Sequence, residues 1–199
     1  MRWGDDGFND SGMAILKVSR LGHPVLRSKA RALDPESITS PGVQRLIDDM
    51  FETMREYAGV GLAAPQVHEG VRVFVAGLKP GPVGAQVAEH EEMPLMALVN
   101  PEITLVGKPS ALGWEGCLSI PEIRGRVPRA LEIRVKALDR MGKPLAFTAK
   151  GFPARVIQHE NDHLDGILFF DRMATLESLT FLEEYDRYWV RDDDSEDEE

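Results

Sequence analysis

The sequence predicts an α+β fold, with antiparallel β-sheets packed around a central HExxH helix and a further helix at the N-terminal and C-terminal sides. Three observations predict it. Strand patterns crowd the middle of the chain, helical patterns flank them, and the two do not alternate as a parallel doubly wound sheet requires. Residues 14–27 read as extended up to "LGHPVL", where Pro24 breaks the run. Residues 41–57 form an amphipathic helix: Ser40 is the N-cap, Pro41 follows it, and Val43, Leu46, Ile47, Met50, Phe51 and Met54 share one stripe. The stretch 71–78 reads as a strand, 79–93 as a polar loop, and "MALVNPEITLV" (96–106) as strand, turn, strand. "LEIRVKALD" (131–139) alternates like a half-buried strand, "RMGKP" turns the chain, and "LAFTAKGF" follows as another strand. A second helix is expected from near Pro153 to about Leu164, stopped by Gly166, and a third over roughly 175–188.

The chain has 199 residues, enough for one domain with a real core, expected over 14–190. Residues 1–13 lack the basic-then-apolar order of a secretory signal and are expected to be a disordered extension. No apolar run reaches the roughly 18 residues of a membrane helix, so a cytoplasmic location without membrane contact is expected. The net charge is −10, and the tail 191–199, with seven acids and one arginine, carries −6 of it. That tail is expected to be disordered, and its charge argues against direct nucleic-acid binding. One cysteine, Cys117, rules out an intramolecular disulfide.

The stretch "VIQHENDHLDG" (156–166) holds two histidines four residues apart with a glutamate after the first. A helix turns 100° per residue, so His159 and His163 share one face and can bind one metal ion. Val156, Ile157 and Leu164 seat the helix against a core, which gives the histidines a buried flank. Glu160 occupies the general-base position of metal-assisted hydrolysis. A catalytic site of this kind wants a third protein ligand. Downstream, Glu177, Glu183 and Glu184 sit among charged neighbours and read as a solvated face. Upstream, Cys117 lies in "GWEGCLSIP", a loop in this reading, with Gly113 and Gly116 beside it.

Three separated motifs resemble those of the peptide deformylase family: "GVGLAAPQ" (59–66), "EGCLS" (115–119) and "QHENDHLDG" (158–166). They stand in the family's order, and the likeness extends over roughly residues 14–175. The resemblance implies removal of the N-formyl group from the initiator methionine of newly made polypeptides, with release of formate. It implies Cys117, His159 and His163 as metal ligands, Glu160 as acid and base, and the Gln66 amide and Leu118 N–H as donors to the substrate oxygen. Val60 and Gly61 would grip the formyl-methionine backbone, Leu118, Val60 and the face of the metal helix would line its side-chain pocket, and Arg124 would lie near the following residues. The cofactor implied is one divalent ion, Fe2+ in the cell, with Zn2+, Ni2+ and Co2+ also accommodated. The partners are N-formyl-methionyl nascent peptides, and the protein is expected as a monomer or weak homodimer. Glu115 and Arg129 are expected to pair with each other or with Asp162, while Arg155 stands where some family members carry an aliphatic residue. The acidic end departs from the basic C-terminal helix of some bacterial members, so ribosome docking is not carried over. Competing readings are an ordinary HExxH endopeptidase, a non-catalytic metal or peptide-binding module, and a hydrolase of another acylated amine.

Overall fold

The computed structural model describes residues 13–78 and 93–190. The expectations for residues 1–12, for most of the 79–93 loop and for the acidic tail lie outside the described residues. In chain order these contain α1 (Pro41–Glu56), β1 (Gly61–Ala63), β2 (Val73–Leu78), β3 (Met93–Val106), β4 (Ala111–Cys117), β5 (Ile120–Arg129), β6 (Glu132–Leu138), β7 (Pro144–Lys150), α2 (Gly151–Leu164), β8 (Thr180–Phe181) and α3 (Leu182–Tyr188). One antiparallel sheet runs β1-β2-β3-β6-β7 and a second runs β4-β5-β8. The predicted class, α+β with antiparallel sheets and three helices, holds among the described residues.

Helix α1 buries its predicted stripe: Ile47, Met50, Phe51 and Met54 pack with Leu62, Val73 and Val75 of β1 and β2. Each such side chain contributes about 1.5–3 kcal/mol by leaving water. Ser40 is the N-cap residue, but its side chain makes no capping bond, so Pro41 at the first helical position sets the start. The extended entry 14–17 is tied to this helix by Ala14 N–H to Asp49 Oδ1 (2.7 Å) and Leu16 N–H to Thr53 Oγ1 (2.8 Å).

Four elements differ from expectation, the first being Pro24–Arg27, a 3₁₀ turn within the stretch expected to be extended. The "MALVNPEITLV" segment is one continuous strand, not strand, turn, strand. Asn100 takes a left-handed φ of 50° and is absorbed as a bulge between Val99 and Glu102. Its amide bonds both Leu33 N–H and Leu33 C=O at 2.8 Å, which holds the kink in place. The third helix begins only at Leu182, because Thr180–Phe181 pair as a strand against Ile123 and Arg124 of β5. Cys117 is not in a loop: it closes β4, next to the two-residue turn Leu118–Ser119. The β4-β5 hairpin itself is hidden in the sequence, because Gly113, Gly116, Pro121, Gly125 and Pro128 break the alternation that marks a strand.

Helix α2 starts at Gly151, two residues before Pro153, and stops at Gly166, whose φ of 74° suits glycine. A side chain there would also run into the Arg27 carbonyl. Ala154, Val156, Ile157 and Leu164 join Phe74, Leu98, Ile133 and Val135 in one core against the larger sheet. The Gln158 amide fixes the helix laterally, accepting from Ala130 N–H (3.1 Å) and donating to Ala130 C=O (2.8 Å). The second sheet packs across the opposite flank through Cys117, Ile120, Val127, Leu168 and Phe169. The helix is thus held between both sheets, and residues 156–160 are all buried.

Candidate metal centre

Two elements meet at the site. Helix α2 presents His159 and His163 one turn apart, and β4 ends on Cys117 beside them. The Cys117 sulfur and one ring nitrogen of each histidine lie within 4.8 Å of one another, and all three residues are buried. Cys117 Sγ is 3.3 Å from His163 Nε2. A tetrahedral ion with zinc-like bond lengths puts such donor atoms roughly 3.4–3.6 Å apart. The Cys117–His163 pair stands close to that spacing, and the trio's sulfur-and-imidazole donors suit iron(II), zinc, cobalt or nickel. Glu177 and Glu183 are exposed, Glu184 is half-buried, and none of the three belongs to this group.

Glu160 lies buried beside the trio, and its Oε2 has no hydrogen-bond partner among the described residues. Burial pushes its pKa up to about 7, against the opposing pull of His159. Gly61 is the reason the carboxylate fits. A Cβ at that position would overlap the Glu160 side chain, so the glycine makes room for Glu160.

Gln66 sits in the 3₁₀ turn after β1, Ala64–Val67. Its Oε1 accepts from Ala63 N–H at 2.8 Å, which forces Nε2 toward Cys117 Sγ (3.5 Å) and Ser119 Oγ (3.3 Å). The amide thus presents its donor end to the site. Leu118, Val60 and Arg124 all border the same cleft of about 460 Å³, together with His159, Glu160 and Cys117. Arg124 lies over Gly116, where any side chain would collide with its guanidinium. All nine residues singled out from the sequence come together here except His163, which is deeper: it is only 1% exposed and closes the metal trio from below the cleft.

A charged network supports the trio from behind. Glu115 Oε1 accepts from Arg129 Nε (2.9 Å) and Arg155 Nη1 (2.9 Å), and its Oε2 from Arg129 Nη2 (3.0 Å). The same Oε2 lies 2.9 Å from His159 Nδ1. Arg129 Nη1 also donates to Asp162 (2.6 Å), which Arg172 meets from the other side. Burial works against charge on Glu115, but the bonds from His159 and Arg129 outweigh it and hold the carboxyl well below the usual range. Because Arg129 joins two buried carboxylates, its removal leaves both short of a partner. Arg129→Met is expected to cost about 3–5 kcal/mol in urea unfolding, and a loss under about 1 kcal/mol would contradict this account.

Several residues of the cleft carry no sequence signal. Arg20, Tyr57, Phe152 and Leu182 line it from four separate segments. The isolated "TMREYAGV" and "SLTFL" contexts would not have pointed to Tyr57 or Leu182.

An α+β fold that gathers two helix-borne histidines and a strand-end thiol into one buried donor set, beside a cleft that a buried carboxylate lines, defines a metal-dependent hydrolase. The comparisons with known proteins narrow that class. A family described as "Polypeptide deformylase" matches residues 15–178. Peptide deformylase 2 of Nostoc sp. is 42% identical over 171 residues, covering 86% of this chain and 93% of its own. The chain is also similar to peptide deformylase 1A, chloroplastic/mitochondrial, of Arabidopsis thaliana, 43% identical over 159 residues, or 77% of this chain and 59% of that one. Among solved structures, the Met-Ala-Ser-bound class I type b peptide deformylase of Acinetobacter baumannii superposes with a TM-score of 0.76 at 40% identity, over 81% of this chain and all of that chain. The protein belongs to the peptide deformylase family.

Proposed function

We infer that this protein hydrolyses the formyl group from the N-terminus of newly made formyl-methionyl polypeptides, releasing formate, with Cys117, His159 and His163 holding one divalent ion. The observation that carries the reading is the buried Glu160 carboxylate, with an oxygen unpartnered among the described residues, beside a sulfur-and-two-imidazole donor set. The bound ion supplies Lewis acidity and an acidified water, with Fe2+ expected in the cell. Glu160 takes the proton of the attacking water and passes it to the α-amine nitrogen as the carbon–nitrogen bond breaks. The formyl carbon gains the water oxygen and leaves as formate. Gln66 Nε2 and the Leu118 N–H donate to the formyl oxygen as charge builds on it. Removing one donor of this kind raises the barrier by roughly 3–4 kcal/mol, or about 10²–10³ in rate.

Substrate placement follows from the cleft. Val60, Leu118, Phe152 and Val156 offer apolar surface for a methionine side chain, with the two glycines of "GVG" on the same wall. Arg124 borders the same cleft, suited to the residues that follow methionine. Supporting the reading further, the Acinetobacter baumannii relative carries a tripeptide beginning with methionine. An HExxH endopeptidase needs its third ligand downstream, and no downstream acid approaches the histidines among the described residues. The test is incubation of the metal-loaded, freshly reduced protein with a formyl-Met tripeptide. Stoichiometric formate and a free methionyl amine are expected. No formate with iron(II), nickel or cobalt, or cleavage of an internal peptide bond instead, would sink the reading.

A further inference from the structure

We propose that Arg155 is a positioning residue of the metal centre, clamping the hairpin that ends in Cys117 onto the helix that carries His159 and His163. This rests on the metal-site reading above. Arg155 stands one turn before His159 on α2, so the two side chains lie along one face. Its side chain is 12% exposed. Nη2 donates to Ala111 C=O (2.7 Å), and Nη1 to Val127 C=O (2.8 Å), Glu115 Oε1 (2.9 Å) and, at longer range, Gly113 C=O (3.3 Å). One guanidinium thereby grips the backbone of both β4 and β5.

The link through Glu115 gives the clamp its chemical consequence. That carboxylate receives four contacts: Arg129 Nε and Arg155 Nη1 on Oε1, Arg129 Nη2 and His159 Nδ1 on Oε2. With all four directions used, it has a single orientation, and the His159 ring follows it, turning Nε2 toward Cys117 and His163. The two arginines do different things. Arg129 joins Glu115 to Asp162 within the buried network, whereas Arg155 joins Glu115 to the strand backbones. Arg155 thereby refers the position of the thiol-bearing strand directly to α2.

Gly113 supplies an independent observation. A Cβ at Gly113 would stand 2.7 Å from Arg155 Cζ and Nη2. Such a guanidinium tip would ordinarily swing aside, but this one is pinned by its acceptors. The absence of a side chain at position 113 is therefore part of the clamp, and Gly113→Ala should disturb the metal site without touching any ligand.

The test uses the full chain loaded with cobalt(II), whose thiolate and ligand-field absorption bands report ligand geometry. Wild type, Arg155→Met, Arg155→Lys and Gly113→Ala are compared by cobalt spectrum, by the rate at which a chelator strips the ion, and by kcat and KM on a formyl-Met tripeptide. Loss of a partner outside the ligand shell costs about 10–100-fold in affinity or activity. Arg155→Met and Gly113→Ala are expected to shift the spectrum, lose cobalt at least about 10-fold faster and lower kcat by a similar factor with KM changed less than about 3-fold. Arg155→Lys is expected to fall between, because one ammonium cannot match a fixed fork. Should Arg155→Met fail to fold, Gly113→Ala and Arg155→Lys carry the comparison. Spectra and chelator rates within about 2-fold of wild type would overturn the clamp alone. A wild-type protein that takes up no cobalt would overturn the metal-site reading, and the clamp with it.

Discussion

Glu160→Gln is expected to keep the bound metal and lose turnover, with kcat down by about 10²–10⁴. Glutamine preserves the shape that packs on Gly61, so the fold and the metal trio stay intact. It cannot accept the proton that the reaction must move from water to the leaving nitrogen. The surroundings of the native carboxylate suit that transfer. Glu160 is 4% exposed, and Oε2 has no partner among the described residues. Burial raises its pKa to about 7, near neutrality, where one group serves well both as base and as acid. Formate release under single-turnover conditions, together with elemental metal analysis, checks this. A variant with stoichiometric metal and kcat within about tenfold of wild type would remove Glu160 from the proposed role.

The second large effect is expected at Cys117→Ala. Losing the thiolate leaves two imidazoles and no third protein donor, since no other acid or histidine joins the group among the described residues. Metal retention should fall by more than the roughly 10–100-fold that loss of an outer partner costs, and formate release should fall with it. Packing alone does not account for such a loss. Cys117 is a small residue, 8% exposed, and alanine keeps most of its contact with Leu168 and Phe169. Thermal unfolding of the metal-free forms should therefore differ little between variant and wild type. A Cys117→Ala protein that stays fully loaded and active would restore the endopeptidase reading, with its ligand downstream.

Much of the site was legible from the sequence because its chemistry is packed into short segments. The spacing of His159 and His163 is a property of one helical turn, and Val156, Ile157 and Leu164 mark the buried side of that turn. Helix α1 and strands β6 and β7 were legible for the same reason, their apolar residues recurring at the period of the element, and β2 as a short continuous apolar run. The hairpin β4-β5 was not. It carries Cys117, yet its glycines and prolines erase the alternation. The glycines are there for contacts made elsewhere: Gly113 under Arg155, Gly116 under Arg124, Gly125 against Met173. The late start of α3 has a similar origin, since Thr180–Phe181 are claimed as a strand by the edge of β5.

Residue chemistry and local periodicity point to candidate reacting groups, a paired-histidine helix and its glutamate, and the motifs that resemble a deformylase's add one thiol. How those groups are held is a property of the folded chain. Gln66 turns its donor end to Cys117 because Ala63 takes its oxygen, Glu160 fits because Gly61 has no side chain, and Glu115 orients His159 because Arg129 and Arg155 hold it. Arg155 reaches acceptors 28 to 44 residues away along the chain, and Glu115 meets His159 across 44. Such contacts have no period to read: they exist once two sheets close on one helix, and the burial they create gives the charges and hydrogen bonds their strength.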